Sequence, residues 1–146
     1  MRVVVQRVKY AKCLVNDKIV GSINEGYMLL VGFNNTDNID LVNKMAQKIN
    51  NLRIFDDEDG KMNLNIHQIN GRILSISQFT LYADTKKSNR PSFTESMNKE
   101  EAIKLYNEFN KILVNTYDLM VETGIFGEHM YLDILCDGPV TINLEM

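Results

Sequence analysis

The chain has few of the residues that usually mark a cross-linked or secreted protein. Among its 146 residues are no tryptophan, two prolines and two cysteines. Cys13 and Cys136 lie far apart and form no CxxC pair, so we expect two free thiols that pack within strands. No apolar run approaches the roughly 20 residues that cross a bilayer, and the N-terminal residues lack the long apolar segment of a signal peptide. These absences favour a cytoplasmic protein with no membrane partner.

Conventional catalytic machinery is also missing. His67 and His129 are the only histidines; neither has metal-ligand spacing, and both are interpreted as ordinary loop or strand-edge residues. No GxSxG elbow, P-loop or GxGxxG motif is present. The acidic run 56–61 fails as a calcium loop, because Phe55 and Ile66 would occupy positions that require acidic ligands. The sequence therefore predicts no metal, no cofactor and no catalytic triad, with a surface turn at Asp59-Gly60.

The net charge is mildly acidic and argues against broad binding to nucleic acid. At −3, it lacks the basic excess of proteins that coat nucleic acid nonspecifically, so DNA is not an expected partner. One local basic patch remains, formed by Lys86, Lys87 and Arg90. Taken alone, such a patch is typical of a solvated turn.

The segment Ser77–Leu81 has unusual chemistry for its position at the end of an apolar strand. It offers two hydroxyls, an amide and backbone N–H groups. Strand alternation predicts Ser77 and Phe79 on one face, with Gln78 and Thr80 on the other. Two interpretations stay open. The segment is either a strand edge with satisfied hydroxyls, or an oxyanion hole for acyl transfer with Thr80 as nucleophile or orienter.

A second unusual segment is Gly138-Pro139-Val140-Thr141, placed where a terminal strand should continue. Proline has no N–H to give to a sheet ladder, and glycine leaves the backbone bare. The segment is either a bulge between two strands or a stiff, bare stretch of main chain at a site. Both segments together favour a site that works through backbone and shape.

Hydrophobic periodicity predicts one α/β domain over residues 1–146. Strands are expected at 1–10, 18–23, 26–33, 72–77, 119–122, 131–136 and 140–144. A first helix should follow Thr36-Asp37-Asn38 and bury Leu41, Val42, Met45, Ile49 and Leu52. A second helix should begin at Asn98, which forms a capping-box pattern with Glu101, and bury Ala102, Leu105, Tyr106, Phe109, Ile112 and Leu113.

Several motifs, in order along the whole chain, resemble the bacterial-type D-aminoacyl-tRNA deacylases, the D-tyrosyl-tRNA deacylase family. The matching segments are 1–8 (MRVVVQRV), 52–55 (LRIF), 60–63 (GKMN), 77–81 (SQFTL), 85–87 (TKK), 89–91 (NRP), 124–127 (GIFG) and 137–141 (DGPVT). Each tetrapeptide alone is weak, but their ordered succession over the full length is specific.

The resemblance implies the fold and the partners. We expect a single α/β domain in which a mixed, mostly antiparallel β-sheet curls toward a barrel, with two main helices packed on it. It implies a homodimer whose active sites lie at the subunit interface, and the 3′ end of an aminoacyl-tRNA as substrate. The implied reaction is hydrolysis of the D-aminoacyl ester, with the 2′-OH of the terminal adenosine assisting. Glycine, which has no side chain, should also pass the chiral filter.

The resemblance also assigns roles to residues. The terminal adenosine and the ester would be bound by Ser77, Gln78, Phe79 and Thr80. Thr80 is interpreted first as a positioning residue and only second as a nucleophile. Gly138 and Pro139, joined by a cis bond, would enter the partner's pocket and exclude L-residues by collision. The resemblance further implies that Arg7 holds the Gly138-Pro139 pair in place and that Met130 lines the pocket. The tRNA would be contacted by Lys86, Lys87 and Arg90.

One position departs from the family, which usually has asparagine where this chain has Cys136. The substitution removes an amide side chain, and we expect this loss to affect how firmly the strand that presents Gly138 is held. Two other functions stay open at this stage. One is a noncatalytic RNA-binding or dimerisation module in which both unusual segments are turns. The other is a general esterase that uses Thr80 as its nucleophile on simple esters.

Overall fold

The computed structural model describes residues 1–86 and 88–146. Within them the strands are β1 (Arg2–Val15), β2 (Lys18–Ile23), β3 (Gly26–Gly32), β4 (Arg53–Asp56), β5 (Met62–Asn65), β6 (Arg72–Ser77), β7 (Val121–Thr123) and β8 (Tyr131–Glu145). The helices are α1 (Ile39–Asn51), α2 (Lys99–Asn115) and a short 3₁₀ helix, Phe79–Tyr82. No described helix has the length and apolar character needed to cross a membrane.

Strand β1 is the centre of the main sheet. Its first half pairs antiparallel with β3 and its second half with β2, while β8 runs antiparallel along its other edge. Buried positions alternate with half-buried ones along most of β1, as expected for a strand with one fully covered face. β1 extends to Val15, beyond the predicted end at Tyr10, because its second half pairs with both β2 and β8.

The main sheet curls into a nearly closed barrel. Strand β3 pairs in parallel with β6, and β6 in parallel with β7; β2 then lies against β6 and β7. The interior is filled by small and aliphatic side chains, namely Val8, Ala11, Cys13, Ile23, Met28, Leu74 and Ile76. The predicted fold class is therefore confirmed. β3 is buried on both faces, as its continuous apolar run predicts.

Both helices cover the other face of the sheet and begin at the predicted caps. The Asn38 side chain accepts hydrogen bonds from the N–H groups of Asp40 and Leu41. The Asn98 side chain accepts from the Glu101 N–H at 3.0 Å and its amide donates to the Glu101 carboxylate at 2.7 Å. Their buried faces join one core, to which α1 contributes Val42, Met45, Ala46 and Ile49, and α2 contributes Ala102, Tyr106, Phe109, Ile112 and Leu113.

Several predicted boundaries were wrong. The two closing strands form one strand, β8, whose pairing with β1 is irregular opposite Arg7. The predicted strand 119–122 is shifted to β7, Val121–Thr123. The hairpin of β4 and β5 was not predicted as strands, because each has only four residues, although the turn at Asp59-Gly60 lies between them.

Candidate active site

A cavity of about 560 Å³ opens where the parallel strands β3 and β6 end. The start of α2 and the segment 126–132 complete its wall. The lining combines bare backbone, apolar side chains and a few polar groups, from Val31, Gly32, Phe33, Ile76, Ser77, Gln78, Phe79, Met97, Lys99, Ala102, Phe126, Gly127, Glu128, His129, Met130 and Leu132. Of the sequence-predicted site residues, Ser77, Gln78, Phe79 and Met130 therefore lie together.

The Ser77–Leu81 segment does not continue as a strand. β6 ends at Ser77, the Gln78 N–H donates to the Val31 carbonyl at 2.7 Å, and a 3₁₀ helix begins at Phe79. A β-carbon on Gly32 would lie 2.8 Å from the Gln78 carbonyl oxygen, so only glycine allows this close approach. The predicted alternation of side chains over 77–80 is consequently wrong.

In the observed geometry, the two polar side chains that follow Ser77 are hydrogen-bonded to each other. The Gln78 side-chain amide donates to Thr80 Oγ1 at 2.5 Å. Thr80 is exposed and is not among the described residues that line the cavity. The backbone N–H groups of Phe79 and Thr80 have no hydrogen-bond acceptor among the described residues.

Gly138 and Pro139 lie outside this cavity in their own chain. Both are exposed on β8, and the bond between them is cis. Gly138 has a φ of 117°, a conformation that favours glycine over any residue with a side chain. Neither residue is among the described residues that line the cavity.

Arg7 holds the residue that precedes this pair. Its side chain is buried; Nε donates to the Asp137 carbonyl at 3.2 Å and lies 3.3 Å from the Asp137 carboxylate. Nη1 donates to the Ile54 carbonyl at 2.8 Å and to Asp56 at 3.2 Å. Lys9 lies 3.4 Å from the same Asp137 carboxylate. The segment before Gly138 is thus tied to β1 and to the β4–β5 hairpin.

Comparison with known proteins identifies the family of this chain. The sequence profile of a family described as D-Tyr-tRNA(Tyr) deacylase matches residues 4–145. The chain belongs to the D-tyrosyl-tRNA deacylase family. A D-aminoacyl-tRNA deacylase from Thermosipho africanus (strain TCF52B) is 52% identical over 145 residues, covering 99% of this chain and 97% of that protein. One from Lactobacillus gasseri (strain ATCC 33323) is 49% identical over 146 residues, covering both chains completely.

Two solved structures extend the comparison. A protein described as c-Myc DNA Unwinding Element Binding Protein has a TM-score of 0.95 and 38% identity, covering 100% of this chain and 99% of that one. A structure described as a probable eukaryotic D-amino acid tRNA deacylase has a TM-score of 0.84 at 17% identity, covering 98% of each chain. The second likeness concerns the deacylase fold alone.

Three residues of this deacylase-family site were not found from the sequence. His129 was interpreted as an ordinary histidine, yet it lines the cavity and packs edge-on against Tyr131 with ring centroids 4.9 Å apart. Lys99 also lines the cavity, and Phe93 contacts Phe79 with ring centroids 5.0 Å apart. No local sequence pattern marks these three residues, because only the fold brings them together.

Two residues of the predicted basic patch, Lys86 and Arg90, lie on the loop between the 3₁₀ helix and α2. Asp84 and Ser92 exchange backbone hydrogen bonds of 2.8 and 2.9 Å. Lys86 and Arg90 are exposed on this loop, whereas Lys87 lies outside the described residues. Neither Lys86 nor Arg90 lines the cavity. Their predicted contact with RNA remains a prediction.

The cysteines differ from each other in this member of the deacylase family. Cys13 is buried in the barrel, and burial raises the pKa of its thiol. Cys136, which replaces the usual asparagine, is exposed on β8. Both are free and lie within strands, as expected, but Cys136 is not packed, because its side of β8 is uncovered in the single chain. The described residues contain no group of three or more His, Cys, Asp or Glu suited to a metal ion.

Proposed function

We propose that this protein hydrolyses the ester of D-aminoacyl-tRNA and releases the D-amino acid and free tRNA. Membership of the deacylase family supports the reaction class. The observation that carries the assignment here is the cavity at the ends of β3 and β6, bounded by Ser77, Gln78 and Phe79. Its volume, about 560 Å³, falls within the range of small-molecule sites and suits an adenosine carrying an aminoacyl group.

The chemistry that this site supports relies on backbone donors. A water oxygen attacks the ester carbonyl carbon, and the bond from that carbon to the ribose 3′ oxygen breaks. One water proton passes to the 3′ oxygen, with the neighbouring 2′-OH assisting. In this proposal the backbone N–H groups of Phe79 and Thr80, which have no acceptor among the described residues, stabilise the negative charge that develops on the carbonyl oxygen, as backbone donors do in acyl transfer. Thr80 positions the Gln78 amide through their hydrogen bond.

Chirality is selected, in this proposal, by Gly138 and Pro139 of a partner subunit. In their own chain both are exposed and lie away from the cavity lining, so they are free to enter a second copy. A D-residue would direct its side chain away from this rigid pair, whereas an L-residue would collide with it. Glycine, with no side chain to collide, should be hydrolysed as well.

Exposed apolar side chains on the same strand support a homodimer. Tyr131 is 63% exposed and Leu135 is 50% exposed, both on β8. Large apolar side chains in such a position are typical of an interaction surface. We therefore assign the active form to a dimer with two shared sites.

The decisive experiment incubates the protein with D-tyrosyl-tRNA and L-tyrosyl-tRNA in parallel. We expect release of tyrosine from the D-form only. Equal hydrolysis of both forms would contradict the chiral mechanism. D-tyrosine methyl ester, which lacks RNA, tests the general esterase alternative: rapid cleavage that requires Thr80 would favour it.

Mixing two inactive variants tests the shared site. A Gln78→Ala subunit lacks part of the pocket, and a Gly138→Val subunit lacks the bare backbone. If sites are shared, a heterodimer of the two should regain one intact site and part of the wild-type activity. No recovery in a heterodimer verified by sedimentation would contradict the assignment.

DNA is the partner to exclude directly, since a 38% identical protein is described as binding a DNA element. Duplex DNA should compete poorly with D-tyrosyl-tRNA, because the net charge is −3 and the basic groups described near the site are few. Competition by DNA at equal affinity would overturn the expectation that DNA is not a partner.

A further inference from the structure

Two phenylalanine rings form an exposed pair at the mouth of the cavity. Phe79 is 58% exposed and Phe93 is 37% exposed. Their ring centroids are 5.0 Å apart with planes at 65°, an edge-to-face arrangement. Phe79 lines the cavity, whereas Phe93 stands beside it on the loop before α2. The pair therefore borders the entrance and does not belong to the core.

Hydrogen bonds anchor the main chain that carries both rings. Ser96 Oγ donates to the Phe79 carbonyl at 3.1 Å, and the Met97 N–H donates to the Phe33 carbonyl at 3.0 Å. Ser92, immediately before Phe93, is paired with Asp84 on both of its backbone groups. Such a pre-positioned aromatic surface loses little conformational entropy when a ligand binds.

The charged residues on the loop before Phe93 indicate what kind of ligand fits. Lys86 and Arg90 are exposed on the loop that the Asp84–Ser92 pairing closes, and this loop leads directly into Phe93. Aromatic rings next to cations are typical of surfaces that bind single-stranded nucleic acid, where bases stack on the rings and phosphates meet the cations.

We propose that Phe79 and Phe93 together bind the unpaired nucleobase that precedes the terminal adenosine of the substrate RNA. This inference rests on the proposed function, because it takes the adenosine to occupy the cavity. A nucleotide one step back along the strand then lies at the entrance, where the exposed ring pair is. Stacking there is tolerant of base identity, so the pair strengthens binding of any RNA with a single-stranded end.

Substitution of Phe93 separates stacking from simple apolar contact. Phe93→Leu keeps apolar bulk but removes the ring, and should raise KM for D-tyrosyl-tRNA by roughly fivefold or more. Phe93→Tyr keeps the ring and should stay close to wild type. Ile19→Ala is the matched control, because Ile19 is 58% exposed on β2 and is not among the described residues that line the cavity, and it should leave KM unchanged. Equal KM values for Phe93→Leu and wild type would overturn the proposal.

A truncated substrate tests the position of the ring pair. With 3′-O-(D-tyrosyl)adenosine, which has no preceding nucleotide, Phe93→Leu and wild type should behave alike. Impairment of Phe93→Leu on this substrate as large as on tRNA would place the ring's effect inside the pocket and overturn the proposal. If sedimentation shows that Phe93→Leu dissociates the dimer, the proposal is also overturned, because the rings would then form part of the contact with a second copy of the chain.

Binding without hydrolysis distinguishes failure of this inference from failure of the proposed function. A short single-stranded RNA ending in adenosine should bind wild type more tightly than one with an abasic penultimate nucleotide, and Phe93→Leu should remove the difference. Base-dependent binding without hydrolysis of D-tyrosyl-tRNA would contradict the proposed function and support the role of the ring pair in base binding. Hydrolysis with no base-dependent binding would contradict only the ring pair.

Discussion

Arg7 Nε donates to the backbone carbonyl of Asp137 at 3.2 Å, and so fixes the residue immediately before Gly138. Because the Arg7 side chain is buried, this contact is shielded from water and stronger than a surface pair. The guanidinium forms a second set of bonds through Nη1 to Ile54 and Asp56. A planar fork is needed to reach both sets at once.

Arg7→Lys should therefore loosen the Gly138 segment. An ammonium is a point charge and cannot serve Asp137 and the hairpin together. We expect the free energy of unfolding to fall by about 1.5–3 kcal/mol, and the ratio of D- to L-tyrosyl-tRNA hydrolysis to fall by roughly tenfold. Urea unfolding and parallel hydrolysis assays measure both. Arg72→Lys, an exposed arginine of β6, is the control, and an unchanged ratio in Arg7→Lys would refute the positioning role.

Lys86→Ala and Arg90→Ala should weaken tRNA binding without affecting chirality. If each contacts one phosphate, each loss should lower the slope of log K against log salt by roughly 0.7–0.9. Lys48→Ala, an exposed lysine of α1, should leave the slope unchanged. Binding titrations at several salt concentrations give the slopes. Identical slopes for all four proteins would count against the contact with phosphate.

The extents of β2 and β6 agree with the sequence prediction to the residue, because turn residues bound each short apolar run. The 3₁₀ helix at Phe79 could not be predicted, since the sequence there continues a strand pattern. Its cause is a contact with β3, where Gly32 admits the Gln78 carbonyl. The Arg7–Asp137 bond spans 130 residues, so the resemblance supplied it and local pattern did not. His129 reaches the cavity from the segment between β7 and β8, whose path no local signal encodes.

The two cysteines should react differently with thiol reagents. Cys136 is exposed, while Cys13 is buried and burial raises the pKa of its thiol, which lowers the thiolate fraction. We expect Cys13 to react only after denaturation, whereas any reaction of the folded protein should come from Cys136. Cys136→Ser should abolish the native reaction. Two fast-reacting thiols in the native protein would contradict the packing of the barrel interior.

Stability should decline at alkaline pH through Tyr82. Burial, followed by the nearby Asp37 charge, raises the pKa of Tyr82 to about 12, against about 10 for an unfolded tyrosine. This contribution to stability is present in full below pH 10 and is lost as pH rises toward 12, because the unfolded state releases its proton first. Urea unfolding at pH 9, 10 and 11 measures the decline, and Tyr82→Phe should reduce its slope. Identical slopes would contradict the assignment.

The role of Thr80 distinguishes positioning from covalent catalysis. Its Oγ1 already accepts a hydrogen bond from the Gln78 amide, and Thr80 does not line the described cavity, which favours an orienting role. Thr80→Ala should then lose about 0.5–1.5 kcal/mol, roughly a tenfold drop in kcat at most. A nucleophile could not be replaced by any neighbouring group, so its removal would abolish turnover. Thr80→Ser, which keeps the hydroxyl, is the matched control.

A substrate whose tRNA ends in 2′-deoxyadenosine provides the converse measurement. If the 2′-OH assists hydrolysis, wild-type protein should bind this substrate but hydrolyse it very slowly, because the assisting group is gone while the contacts of the pocket remain. Single-turnover rates with saturating protein separate this chemical defect from weaker binding. Full activity on the deoxy substrate, together with an inactive Thr80→Ala variant, would establish Thr80 as the nucleophile. The backbone-based mechanism requires the opposite pair of results, since it takes its oxyanion donors from Phe79 and Thr80 N–H groups that alanine retains.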